Sequence, residues 1–272
     1  MSVDTAFASL APGREPKRLF EVTGRILEAL ERGGADLTQL GVPAGPEPEH
    51  GLWEDVSVPQ TRTRMNIWTN SMREAAHDEY LRWRFEDLAP EQGKTVLRDW
   101  MRSLLDAKRQ KARPEVLNLI VPGNIGSGKT TALAALGNEA SEQGLVVRFV
   151  KHATYLTWRR PDGGPNDLTS YSVRKRHVEA DLLIVDELCG EMDGLATEFV
   201  RRETIDLVDS RLAAGRATAF STNLKSRSTP KSPAPGVADI LGDRLLSRIE
   251  ARAHLLKIIG PDRRKPKAPL DW

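Results

Sequence analysis

A single cysteine, Cys189, stands in 272 residues, so no disulfide can form within the chain. Its apolar neighbours predict a buried structural thiol. Aromatic residues make up only 6% of the sequence, and no apolar run approaches the ~18 residues a membrane-spanning helix needs. No membrane partner is therefore expected. The N-terminus, Met1-Ser2-Val3-Asp4, lacks the basic and then apolar pattern of a secretion signal, which makes the cytoplasm the expected address. The histidines, His50, His77, His152, His177 and His254, have no metal-ligand spacing, and no zinc site is expected. A large charge of one sign is missing too, since the net charge is +2. Its distribution is uneven: Lys and Arg outnumber Asp and Glu 11 to 5 from Ser221 onward, but not in residues 1–110. A basic C-terminal portion suits a polyanionic partner or a solvated tail.

At 39% hydrophobic and 29% charged, the chain reads as an ordinary globular protein of one to two domains. Its most informative string is Gly123-Asn124-Ile125-Gly126-Ser127-Gly128-Lys129-Thr130, a complete G-x-x-x-x-G-K-[ST] loop followed by Thr131. Glycines there let backbone N–H groups approach phosphate oxygens where a Cβ would clash. Lys129 reaches the β and γ phosphates, and the Thr130 hydroxyl ligates Mg²⁺. An apolar run, 116–121, precedes the loop and a helix-forming stretch, 131–136, follows it. That order sets a helix N-terminus at the phosphates and points to a bound nucleoside triphosphate, with ATP and Mg²⁺ as the expected cofactors.

Apolar spacing predicts a helix over 15–32, closed by Gly33-Gly34, and the prolines of 41–59 mark a linker. Helices are expected over 70–84 and 91–111, separated by Phe85-Glu86-Asp87-Leu88-Ala89-Pro90. Further strands are expected at 145–150, 181–187, 218–221 and 255–259, and helices at 173–180, 197–213 and 238–252. The stretch 226–236 reads as mobile. Strands alternating with helices require a mostly parallel sheet covered on both faces. The expected organisation is a small, mainly helical N-terminal partner-binding module with its linker in 1–70. A three-layer αβα P-loop domain follows in 71–272, with its core at about 85–264.

The strand Leu182-Leu183-Ile184-Val185 ends in Asp186-Glu187, at the edge where a parallel sheet presents its ligands. Asp186 can hold Mg²⁺ and Glu187 can orient an attacking water, which favours hydrolysis over an acidic pair that merely caps the next segment. Asn223 ends the following strand, either as an amide near the γ-phosphate or as an ordinary turn residue. Arg244 and Arg248 share one helix face; they pair with Asp243 or Glu250, or one reaches a neighbouring subunit's γ-phosphate.

These motifs, together with Asp209-Ser210-Arg211 and Ser221-Thr222-Asn223, resemble the AAA+ ATPases of the DnaC/IstB type over about residues 83–264. The resemblance implies a sensor role for Asn223, a finger role for Arg248 with Arg244 in reserve, and Phe85 near the adenine. It also implies an arginine near 264, where Arg263 competes with Arg264 because Asp262 replaces the family's serine. Members of that family act as ATP-dependent homo-oligomers on DNA, loading replicative helicases or assisting transposases. They carry an element after the second strand that contacts single-stranded DNA. Here that region holds Tyr155, Trp158, Arg159, Arg160, Arg174, Lys175 and Arg176, which suit base stacking and phosphate neutralisation or, equally, a core and a solvated face.

The leading expectation is a helicase loader in replication initiation; the alternative is a transposition helper with the same ATPase. A deoxynucleoside kinase shares the loop, but more than 110 residues precede it here and the later strand ends Asp186-Glu187-Leu188. A nucleotide-gated adaptor that barely hydrolyses ATP is disfavoured by Glu187.

Overall fold

The computed structural model describes residues 57–165, 168–190 and 196–263. The expected helix over 15–32, most of the linker and Arg264 lie outside the described residues. The described residues all belong to one compact unit.

Five strands form one parallel sheet: β1 (Asn118–Pro122), β2 (Val147–Lys151), β3 (Leu182–Asp186), β4 (Ala217–Thr222) and β5 (Ala253–Leu255), in the order β2-β3-β4-β1-β5. All five residues of β3 and all six of β4 are buried, as strands covered on both faces must be. Alternation along β3 sends Leu182 and Ile184 into one core, and Leu183 and Val185 into the other. The first core is closed by α1 (Ser57–Glu74), α2 (Lys94–Arg109) and α3 (Lys129–Glu142). Helices α4 (His152–Trp158), α5 (Ser170–Glu179), α6 (Glu198–Ala213), α7 (Val237–Leu241) and α8 (Asp243–Glu250) carry the residues of the second. The result is a three-layer αβα domain. No described helix is long and apolar enough to cross a membrane.

Helix α1 crosses the expected module boundary at 70/71. Trp68 and Met72 are buried in the first core, and Ser71 Oγ accepts a hydrogen bond from the Phe149 amide of the edge strand β2 at 3.1 Å. The helix expected over 70–84 instead ends at Glu74; Ala76 turns left-handed (φ 55°), and a 3-10 turn, Asp78–Arg82, follows. The helix expected over 238–252 is broken at Gly242 (φ 95°), which separates α7 from α8. In the stretch 226–236, Asp239 accepts the backbone N–H groups of Ser228 and Gly236, so one carboxylate ties both ends of that loop.

Candidate functional site

The glycine loop, Asp186-Glu187 and Asn223 meet at the C-terminal edge of the sheet, whereas Arg211 and Arg248 lie near its N-terminal edge. β1 ends at Pro122, the glycine loop follows, and α3 starts at Lys129. Gly128 takes φ 94°, a conformation an L side chain resists. A Cβ on Gly123 would lie 2.0 Å from the Ile258 carbonyl oxygen, so only glycine lets these two backbones approach.

The Lys129 ammonium donates to Gly123 O at 3.0 Å, Asn124 O at 2.8 Å and Asn223 Oδ1 at 2.6 Å. Thr130 Oγ1 donates to Asp186 Oδ2 at 3.0 Å, and Ser221 Oγ donates to Asp186 Oδ1. Ser221 Oγ also accepts the Glu187 amide at 3.0 Å. One hydroxyl on β4 thus bridges the Asp186 carboxylate and the Glu187 backbone. Glu187 has φ 55°, strained for a residue with a Cβ by ~1 kcal/mol or more, and this turn brings its side chain to the cavity wall.

Two cavities meet at the loop. One of about 230 Å³ is lined by Ile125, Gly126, Lys129, Thr130, Glu187, Ser221, Thr222 and Asn223. The other, about 360 Å³, runs from Gly126, Gly128, Lys129, Thr130 and Thr131 to Tyr80, Trp83, Asp87, Gln92 and Arg263. Thr130 and Asp186 offer paired hard oxygens, which fit Mg²⁺ held by few protein ligands together with phosphate. Among the described residues no cluster of three or more His, Cys, Asp or Glu exists that could hold a metal alone. Asn124 and Ile125 are exposed at the loop tip, whereas Ser127 is buried.

Phe85 does not line either cavity. A 3-10 turn, Phe85–Asp87, drives its ring into the first core at 1% exposure, with the Arg98 guanidinium 5.6 Å from the ring centre. Tyr80 and Trp83 stand at the cavity instead. Gln92 is also part of the wall: buried on a 3-10 turn, it accepts from Ala89 N and donates to Gly128 O at 3.0 Å. No periodicity marks it in the sequence. Arg263 pairs with Glu91 through its side chain, and its amide donates to Gly126 O at 3.0 Å.

The two candidate finger arginines part company. Arg248 pairs with Asp209 of α6, whereas the Arg244 side chain is exposed, with no ion pair or hydrogen bond among the described residues. Of the expected DNA-facing residues, Tyr155 is fully buried, edge-on to His177 at 5.3 Å. Arg159 pairs with Glu203, Arg174 with Asp206 and Arg176 with Glu74; Arg176 also lies 5.0 Å from the Trp158 ring centre. Lys175 and Tyr171 are the exposed basic and aromatic groups of α5.

Beneath this edge, burial pushes His152 down to about 4 and His177 to about 3, while the Cys189 thiol is raised to about 12 for the same reason. His152 accepts the Cys189 amide on Nδ1 at 3.4 Å, so its proton sits on Nε2 and is donated to Thr204 Oγ1 at 2.9 Å. The ring is neutral and fully engaged.

A parallel sheet with a glycine loop, a strand-end Asp-Glu pair and an asparagine just after the adjoining strand defines a P-loop domain. No family model matches the chain. A protein described as an ATP-binding protein of insertion sequence IS1162, from Pseudomonas fluorescens, is 27% identical over 172 residues, covering 60% of this chain and 70% of its own. Among solved structures, DnaI superposes with a TM-score of 0.53 at 18% identity, covering 68% of this chain and 93% of that one. A DnaC helicase loader gives 0.51 at 17%, covering 66% and 98%. The chain shares the αβα fold of these two structures, and its sequence is similar to that of the insertion-sequence protein.

Proposed function

We propose that this chain hydrolyses ATP, assembles as a homo-oligomer on DNA, and loads a replicative helicase. The observation that carries the reading is the lattice that joins Lys129 to Asn223, and Thr130 to Asp186, Ser221 and Glu187. It supports the reading because the residues taken here as phosphate grip, cation site and water-orienting carboxylate share one sheet edge. In this reading Lys129 and the loop amides bind the β and γ phosphates, and Thr130 with Asp186 holds Mg²⁺. The cation would neutralise charge on the phosphates. Glu187 orients the attacking water, and Asn223 senses the γ-phosphate from the opposite wall.

Arg244, exposed and without an ion pair among the described residues, takes precedence over Arg248 as the arginine offered to a neighbouring subunit. Lys175 and Tyr171 remain the groups best exposed to meet single-stranded DNA. ATP turnover stimulated by single-stranded DNA and abolished in Lys129→Ala is the expected behaviour; wild-type protein without turnover in any assembly state would overturn the proposal.

A second reading, a helper ATPase acting with a transposase, draws specific support from the insertion-sequence relative. The ATPase chemistry is the same in both. Affinity capture from the native host with the full chain separates them: a hexameric helicase supports the first, a transposase the second.

A further inference from the structure

The larger cavity has two chemically different ends. At one end are the glycine loop and Lys129; at the other, the segment Tyr80–Asp87 presents aromatic rings. Trp83 and Tyr80 are half-buried: each packs against the first core and also lines the cavity. An aromatic wall beside a phosphate grip suits the planar base of a nucleotide, because every base has a π face to stack.

The wall is held by the helix that carries the phosphate grip. Asn138, nine residues beyond Lys129 on α3, is 3% exposed, and its amide is fully used. Nδ2 donates to Tyr80 O at 2.9 Å and to Trp83 O at 2.8 Å, while Oδ1 accepts Trp68 Nε1–H at 2.6 Å. Carbonyls only accept and an indole N–H only donates, so this network allows one amide orientation. The same helix adds two more ties: Glu139 accepts the Phe85 amide at 3.3 Å and Glu142 pairs with Arg84 at 2.7 Å. Segment Tyr80–Phe85 is therefore bolted to α3 at four points. Trp68 is in turn seated on Gly137, where a Cβ would come within 2.2 Å of its ring.

We propose that Trp83 and Tyr80 form the nucleobase-binding wall, and that Asn138 is the positioning residue that fixes this wall at a set distance from the phosphate loop. The inference rests on the nucleotide reading of the loop and goes beyond it, by separating what grips the base from what grips the phosphates. Removing Asn138 takes one donor from each of two part-buried carbonyls and leaves the buried Trp68 indole N–H unpaired, which loosens the wall without touching Lys129 or Thr130.

The test is calorimetric titration of the full chain with Mg-ATP and with Mg-tripolyphosphate, which has the phosphates and no base. In the wild type, ATP binds at least tenfold tighter than tripolyphosphate. Trp83→Ala and Asn138→Ala weaken ATP at least tenfold and leave tripolyphosphate within twofold of wild type, whereas Trp83→Phe keeps ATP within threefold. Asn138 is buried, so thermal melting accompanies each titration; if Asn138→Ala does not fold, the Trp83 pair still decides the wall. Variants that weaken both ligands alike, or neither, overturn the proposal, as does a wild type that binds the two ligands equally. A wild type that binds neither ligand removes the nucleotide reading itself, and this inference with it.

Discussion

Lys129 Nζ lies 2.6 Å from Asn223 Oδ1, although 94 positions separate the two residues along the chain. One belongs to the helix after β1 and the other follows the neighbouring strand β4, and the parallel pairing of those strands sets the contact. An asparagine so placed reports on where the lysine points. Asn223→Ala should lower the rate of ATP cleavage ~10²-fold, the scale of losing one positioned polar group, with a much smaller change in ATP affinity. Single-turnover kinetics beside equilibrium binding checks this; equal losses in both would make Asn223 a binding residue only.

Ser221 holds the Asp186 carboxylate with its hydroxyl hydrogen and the Glu187 amide with its oxygen. Ser221→Ala releases both and leaves the strand intact. We expect kcat to fall ~10- to 100-fold while KM for ATP changes less than threefold, because orientation at the reacting end is what is lost. A rise in KM without a fall in kcat would contradict this.

Arg244 and Arg248 should separate in their phenotypes. Arg248→Ala removes the partner of Asp209 and should lower the melting temperature, whereas Arg244→Ala should leave it unchanged. If Arg244 acts on a neighbouring subunit, Arg244→Ala loses ~10³-fold or more in turnover. Mixing it with Lys129→Ala subunits should restore activity, since each supplies what the other lacks. Failure to complement assigns Arg244 to its own subunit or to no catalytic role.

Acid should destabilise the fold before the carboxylates titrate. His152 and His177 have folded values of about 4 and about 3, below the ordinary 6.5. In the unfolded chain both take up protons as pH falls through ~6.5, while the folded chain resists until far lower. Stability is therefore greatest above that pH and is lost as pH drops toward 4, by about 1 kcal/mol per pH unit for each histidine. Denaturant unfolding at pH 7 and pH 5 measures it, and His152→Gln should remove part of the slope, the rest staying with His177 and the likewise lowered His77. A flat profile would show that the rings do not stay neutral.

Legibility in the sequence followed locality. The glycine loop, the apolar strand ending in Asp186-Glu187, and the alternation of strands with helices are local patterns and are present, although the last strand lies at Ala253–Leu255 rather than 255–259. What escaped depends on turns and on partners far along the chain. A 3-10 turn sends Phe85 inward and leaves Trp83 at the cavity, a swap that hydrophobicity cannot see because both side chains are aromatic. Gln92 and Ser221 acquire their roles only when Gly128 and Asp186 come within hydrogen-bond range. Arg248, preferred over Arg244 as the finger in the sequence, turns out to be engaged by Asp209 of α6. Likewise the left-handed Gly242 splits what reads as one helix.

The account stands on hydrolysis at Glu187, beside a phosphate grip at Lys129. The direct measurement is single-turnover cleavage of Mg-ATP by the assembled full chain, wild type against Glu187→Gln, with ATP binding measured on both. The account predicts that Glu187→Gln binds ATP as tightly as wild type and cleaves it at least 10²-fold more slowly. Cleavage by Glu187→Gln at the wild-type rate would contradict it.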